Sequence, residues 1–218
     1  MRQGHLRNAA ELVEYINEIG VLPLLPVGVS GWSAEEALMP ECRYQPRPEG
    51  GWDFPLWDWK GEIIRDSGCG YGGFLKGKAT FVSREIWPDF CNWRRSRYPE
   101  PAADSIEETI LEILRMDGSA VSRDLRRECG FNGPKMRGRF DSYVTRLQMA
   151  ARVVIQDFVY PRDRNGREYG WGLALLTTPE QLMGAAACRA DRTPEESYAR
   201  IHEHLAKYLP IPVIDKIL

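Results

Sequence analysis

Apolar side chains between Ser105 and Leu176 change from a helical to a strand spacing, and the change outlines one folding unit. Ile106, Ile110, Ile113 and Leu114 recur on one helical face behind Ser105. Glu108, three residues after that serine, completes a capping box, and Asp117-Gly118 ends the helix. Ser122 is placed to cap a second, shorter helix that turns Leu125 inward and closes at Cys129-Gly130. After the break at Asn132-Gly133-Pro134, Met136, Phe140, Tyr143, Val144 and Leu147 predict a third helix, whose first position tolerates proline. Val153 to Tyr160 and Tyr169 to Leu176 then read as two strands, joined across an Asn165-Gly166 turn. Three helices followed by a two-strand ribbon is the order of a winged helix-turn-helix.

The flanks carry the same kinds of signal at lower density. Leu12, Val13, Ile16 and Ile19 predict a helix that stops at Gly20, followed by an extended apolar piece from Val21 to Pro26. Ser33 with Glu36 starts a short helix that Pro40 is expected to stop. Arg43 to Pro55, rich in Pro, Gly and Trp, reads as a loop, and the aromatic residues Trp52, Phe54, Trp57 and Trp59 are read as an aromatic loop running on from it. Tyr71 to Val82 reads as a hairpin turning at Lys76-Gly77-Lys78, and Ser83 as the cap of a helix reaching Tyr98. Beyond the ribbon, Thr178-Pro179 and Thr193-Pro194 open two more helices. The second presents Tyr198, Ile201, Leu205 and Tyr208 on one face, for packing on the body or for a dimer seam. The expected fold class is therefore α+β, mainly α. A winged helix-turn-helix (101–177) lies between an N-terminal α+β region (1–100), itself open to a winged-helix-like reading, and a C-terminal helical extension (178–218).

Charge gives the third helix a second face. Lys135, Arg139, Ser142 and Arg146 are spaced 0, 4, 7 and 11 residues apart, so they share a narrow arc beside the apolar stripe. A recognition helix needs that pairing, because one side packs while the other enters the major groove. An ordinary solvated helix face is the alternative. Arg162, Arg164 and Arg167 sit at the ribbon tip, where a wing meets phosphates, and Arg84, Arg94, Arg95 and Arg97 form a second basic group. Trp52, Trp57 and Trp59 are candidates for stacking on bases, or for core. From Arg115 to Arg167 there are 12 Lys and Arg against 6 Asp and Glu, in a chain of 218 residues whose formal net charge is −2. The cationic footprint is local, which is what a polyanion partner requires.

Composition narrows the classes further. A hydrophobic content of 43% supports a packed core, and no apolar run has the roughly 20 residues of a membrane span. Five scattered cysteines without Cys-x-x-Cys spacing fit a reducing compartment and no structural zinc, so a cytoplasmic protein without metal or cofactor is expected. Gly68 to Gly73 lacks the following helix and Lys-Ser/Thr of a phosphate loop.

Ile19 to Leu25, the Trp57/Trp59 segment, Phe81 to Phe90 with its trailing arginines, and the winged helix together resemble the AlkZ/YcaQ-type winged-helix DNA glycosylases over residues 10 to 176. The resemblance implies tandem winged helices and double-stranded DNA, damaged DNA included, as partner. The family's glutamine, apolar residue, then glutamine or aspartate would fall at Pro23-Leu24-Leu25, where neither polar member is present. Proline and leucine cannot orient water or stabilise a sugar cation, so the scaffold is expected without that chemistry. Glu11, Glu14 and Glu18 are the replacements if catalysis is displaced. Three readings follow: a DNA-binding protein of damage recognition, an active base-excision glycosylase, or a protein-interaction scaffold in which Arg139 and Arg146 are paired internally. The oligomeric state is left open.

Overall fold

The computed structural model describes residues 1–218 apart from Glu49, Glu168, Tyr169, Trp171 and the side chain of Pro134. In chain order the regular elements are α1 (Ala9–Ile19), β1 (Val21–Pro23), α2 (Ala34–Ala37), α3 (Pro40–Arg43), β2 (Gln45–Pro46), β3 (Trp52–Asp53), α4 (Pro55–Ser67), β4 (Gly70–Leu75), β5 (Lys78–Val82), α5 (Trp87–Arg97) and α6 (Ile106–Asp117). They continue as β6 (Ala120–Val121), α7 (Ser122–Glu128), α8 (Arg137–Met149), β7 (Val154–Val159), β8 (Leu173–Thr177), α9 (Pro179–Met183), α10 (Pro194–Ala206) and α11 (Ile211–Ile217). The fold is α+β and mainly helical, as the sequence implies.

Two units share one connectivity. In the second, α6 is followed by the short strand β6, the helices α7 and α8, and the hairpin β7–β8, with sheet order β6-β8-β7. In the first, α1 is followed by β1, then by helices ending in α4, and by the hairpin β4–β5, with sheet order β1-β5-β4. In both, the short strand after the first helix pairs antiparallel with the last strand of the hairpin, Val21 opposite Val82 and Ala120 opposite Leu176. The same order of helix, short strand, helices and hairpin thus occurs twice. Local chemistry sets the helix starts: Asn8 and Ser105 accept from Glu11 N and Glu108 N, while Thr193 forms a full capping box with Glu196.

The structure corrects four local expectations. Pro40 does not merely stop a helix, since it opens α3 at a position where its missing N–H costs nothing. Ser122 lies inside α7 rather than capping it. The 43–55 segment holds a small ribbon, β2 against β3. Trp57 and Trp59 stand on α4, not in a loop. The predicted start of the second wing strand at Tyr169 lies outside the described residues; β8 is described from Leu173.

Two hydrophobic cores result. One draws only on the second unit and includes Ile110, Leu114, Leu125, Phe140, Leu147 and Leu176. The other joins the first unit to α5 and to the C-terminal helices, from Leu6 through Trp87 to Ile214. The C-terminal extension packs back on the body: Asn92 Nδ2 donates to Arg192 O and Ser197 Oγ, both at 2.9 Å, and the buried Asp89 accepts from Arg192 at 2.6 Å. Tyr208 Oη reaches Glu18 O on α1 at 3.0 Å. No helix among the described residues is long and apolar enough to cross a membrane.

Candidate nucleic-acid interface

Helix α8 has three differently occupied sides. Phe140 and Leu147 enter the core of the second unit. Gln148 turns to the first unit, where its Oε1 accepts from Gly73 N on β4 at 2.9 Å in a buried contact. The remaining side, at the N-terminal end, is open: Arg137, Arg139 and Ser142 are exposed, and so is Lys135, which the sequence expected on this helix but which stands in the 3-10 turn Pro134–Met136 leading into it. Among the described residues Lys135 and Arg139 have no ion-pair or hydrogen-bond partner for their side chains, and Ser142 Oγ donates back to Arg139 O at 2.7 Å.

Arg146 departs from the predicted stripe. It stacks over Tyr143 and donates its Nε to Glu107 Oε1 on α6 at 3.0 Å. One helical turn beyond Ser142, α8 is already inside the reach of α6, so this guanidinium is used to dock two helices. The stripe is thus split, with a free N-terminal part and a tethered C-terminal part.

The second basic group is corrected more strongly. Arg94 is 6% exposed, and donates to Met149 O at 2.7 Å and to Phe74 O and Tyr98 Oη at 3.1 Å. Arg95 donates to Ala151 O at 3.0 Å and pairs with Glu180 at 2.7 Å. Both arginines grip carbonyls at and just past the C-terminus of α8, where the helix dipole favours a cation. That end is about 20 Å from the open N-terminal end, at 1.5 Å per residue over 13 residues. They buttress the helix from behind. Arg97 is exposed at the rim of a different cleft of about 680 Å³ with Lys76 and Tyr98, and Arg84 reaches Met183 O at 3.5 Å. The second basic group is therefore divided: α5 turns Arg94 and Arg95 inward, while Arg97 and Arg84 are exposed.

The Trp-rich segment and the wing do meet. Trp57 and Trp59 are half-buried against the core, while Trp52 is 67% exposed on the β2–β3 ribbon. Between α4 and the wing lies a group that sequence reasoning missed, Lys60. It is 1% exposed, and its Nζ stands 4.1 Å from the Trp57 ring centre and 4.0 Å from that of Phe158 on β7. Arg65 pairs with Asp157 of the same strand at 2.6 Å. Helix α4 of the first unit is thereby covered by strand β7 of the second. Arg164 and Arg167, at the wing tip, are exposed and unpaired among the described residues; Arg162 is exposed as well. Asp163 Oδ1 shapes the tip by accepting from Asn165 N and Arg167 N at 2.8 and 2.9 Å.

A family model described as AlkZ related matches residues 6–217, almost all of the chain. The chain belongs to the AlkZ-related family. No curated protein matches it. Among solved structures the chain is similar to Streptomyces sahachiroi DNA glycosylase AlkZ, at 11% sequence identity and a TM-score of 0.47, covering 94% of this chain and 54% of that one. It spans about half the length of that glycosylase.

In this AlkZ-related chain the stretch where the resemblance would place the glutamine motif lies at and just past the end of β1. Pro23 pairs with Thr80 on β5, Leu24 is buried and gives its N–H to Ala79 O at 2.8 Å, and Leu25 is exposed. The three glutamates of α1 lie on the helix before it. Glu11 accepts from Arg7 N at 2.8 Å and Glu18 pairs with Arg2, so both are engaged in local structure, and Glu14 is exposed.

Proposed function

We propose that this AlkZ-related protein binds double-stranded DNA through the N-terminal half of α8 and the wing tip, and serves recognition of damaged DNA rather than base excision. One observation carries the reading: on a helix whose other sides are bolted to both units, Arg139, and Lys135 in the turn that leads into the helix, stay exposed without a partner among the described residues. Keeping bare cations there costs nothing structural and suits a polyanion, and in helix-turn-helix proteins the N-terminal residues of the recognition helix face the bases. Ser142 lies next along the same side. Arg164 and Arg167, with Arg162 beside them, stand where a wing would follow the phosphate backbone, and the exposed Trp52 is the ring available for an unstacked base. The apolar Pro23, Leu24 and Leu25 favour recognition without cleavage. The engagement of Arg146 alone does not favour a protein-interaction scaffold, because Arg139 has no partner among the described residues.

Fluorescence anisotropy with intact and alkylated duplexes tests this. Binding should weaken steeply with salt, and a Lys135→Ala/Arg139→Ala variant should lose affinity about tenfold or more, at about 1–3 kcal/mol per base contact. Its unfolding midpoint should stay that of the wild type. Absent or salt-independent binding to every duplex removes the proposal. Abasic sites in the alkylated duplex after incubation would replace recognition by base excision.

A further inference from the structure

A second cationic feature at the same end of α8 lies outside the Lys135–Arg146 stripe. Ser122 and Arg123 at the start of α7, Arg126 one turn on, Arg137 and Asp141 on α8, and Leu173 at the start of β8 line a cleft of about 160 Å³. Three guanidinium groups face one carboxylate there. They are held loosely: Arg123 is 3.6 Å from Asp124, and Arg137 is 3.7 Å from Asp141, both beyond hydrogen-bond reach. Asp124 is instead taken by Arg127 at 2.9 Å. The side chains of Arg123 and Arg137 are 58% and 75% exposed. Only Arg126 has a fixed partner, donating to Gly133 O at 3.4 Å in the turn between the two helices.

Size and chemistry define the occupant. The cleft is well below the roughly 300 Å³ at which pockets begin to hold a small organic ligand, so neither a base nor a nucleoside fits. A tetrahedral oxyanion does, and arginine is the side chain whose paired N–H groups match phosphate oxygens. We infer that Arg123, Arg126 and Arg137 form a seat for one phosphodiester group of the DNA backbone, which fixes the register of α8 on the duplex. The inference rests on the DNA-binding reading above and deepens it: Lys135 and Arg139 face the groove, and the seat anchors a strand at its edge. Arg126, already fastened to the turn, sets the floor, and the two loosely held arginines close on the phosphate.

The test compares the intact protein with Arg123→Gln/Arg137→Gln in duplex binding over a series of salt concentrations. Losing the one phosphate contact should reduce the slope of log affinity against log salt by about 0.9. The ratio of affinities between two duplex sequences should not move, since phosphate contacts carry no sequence information directly. An Arg123→Lys/Arg137→Lys variant should recover the slope but only part of the affinity, because lysine keeps charge without the paired geometry. An unchanged slope in the glutamine variant, with steep wild-type binding, overturns the seat and leaves the DNA-binding reading standing. Failure of the wild type to bind any duplex overturns both. Both substituted side chains are exposed, so equal unfolding midpoints are expected and report that each variant is folded.

Discussion

Lys60 is a buried lysine with no carboxylate in ion-pair distance among the described residues, an arrangement proteins seldom keep. Its ammonium is compensated by the faces of Trp57 and Phe158 and by donation to Trp57 O. Burial pushes its pKa down from 10.5 to about 8, with the Asp58 carboxylate opposing. The unfolded chain therefore binds more protons than the folded one between about pH 8 and 10.5, and the lysine's contribution to stability grows as pH rises through that window. Measured as wild type minus Lys60→Met, the unfolding free energy should increase from pH 8 to 10.5; a decrease would mean that the rings hold the proton more firmly than burial expels it. This residue also explains why α4 was not legible. Leu56, Lys60, Ile63 and Ile64 have the spacing of a buried face, and all four are buried, but a lysine in the second place hides the helical period.

At the scale of elements, α4 and β7 approach closely because Gly61 has no side chain. A Cβ there would stand 2.7 Å from Asp157 Oδ1. Asp157 cannot easily yield, since Oδ2 holds Arg65 at 2.6 Å and Oδ1 accepts from Phe158 N at 2.8 Å. Inside a helix, glycine to alanine ordinarily gains up to about 1 kcal/mol. Here the sign should reverse, with Gly61→Ala losing about 1–3 kcal/mol in urea unfolding. Adding Asp157→Ala to it should cost less than Asp157→Ala costs alone. The second unit is legible in the sequence because its helices and ribbon form a local core with ordinary caps and turns. Helix α5 was legible as a helix, but not its orientation. Trp87, Asp89, Phe90, Cys91, Trp93 and Arg94 are all buried, leaving no clean polar face to show that Arg94 points inward. A basic cluster in sequence does not say whether it meets solvent or a neighbour's carbonyls.

For the whole molecule, the C-terminal helices are joined to α5 through Asp89, which is 3% exposed and accepts from both Arg192 at 2.6 Å and Arg200 at 3.2 Å. Asp89→Asn leaves two arginines without their carboxylate and should destabilise the fold by about 1–3 kcal/mol. Because α10 shares the first unit's core, the loss should show as a lower midpoint of that unit in calorimetry rather than as fraying of the C-terminal helices alone. The sequence leaves this union open, since the apolar face of α10 fits a dimer seam equally well. The two cores differ in one more respect. The second unit closes with residues that follow one another between Ile106 and Leu176, whereas the first needs Ile201, Leu205 and Ile214 beside Leu12 and Ile16. On the ribosome, then, the second unit can fold as soon as it emerges, while the first unit, made before it, must wait, its apolar surface open to chaperones, until α10 and α11 have been synthesised.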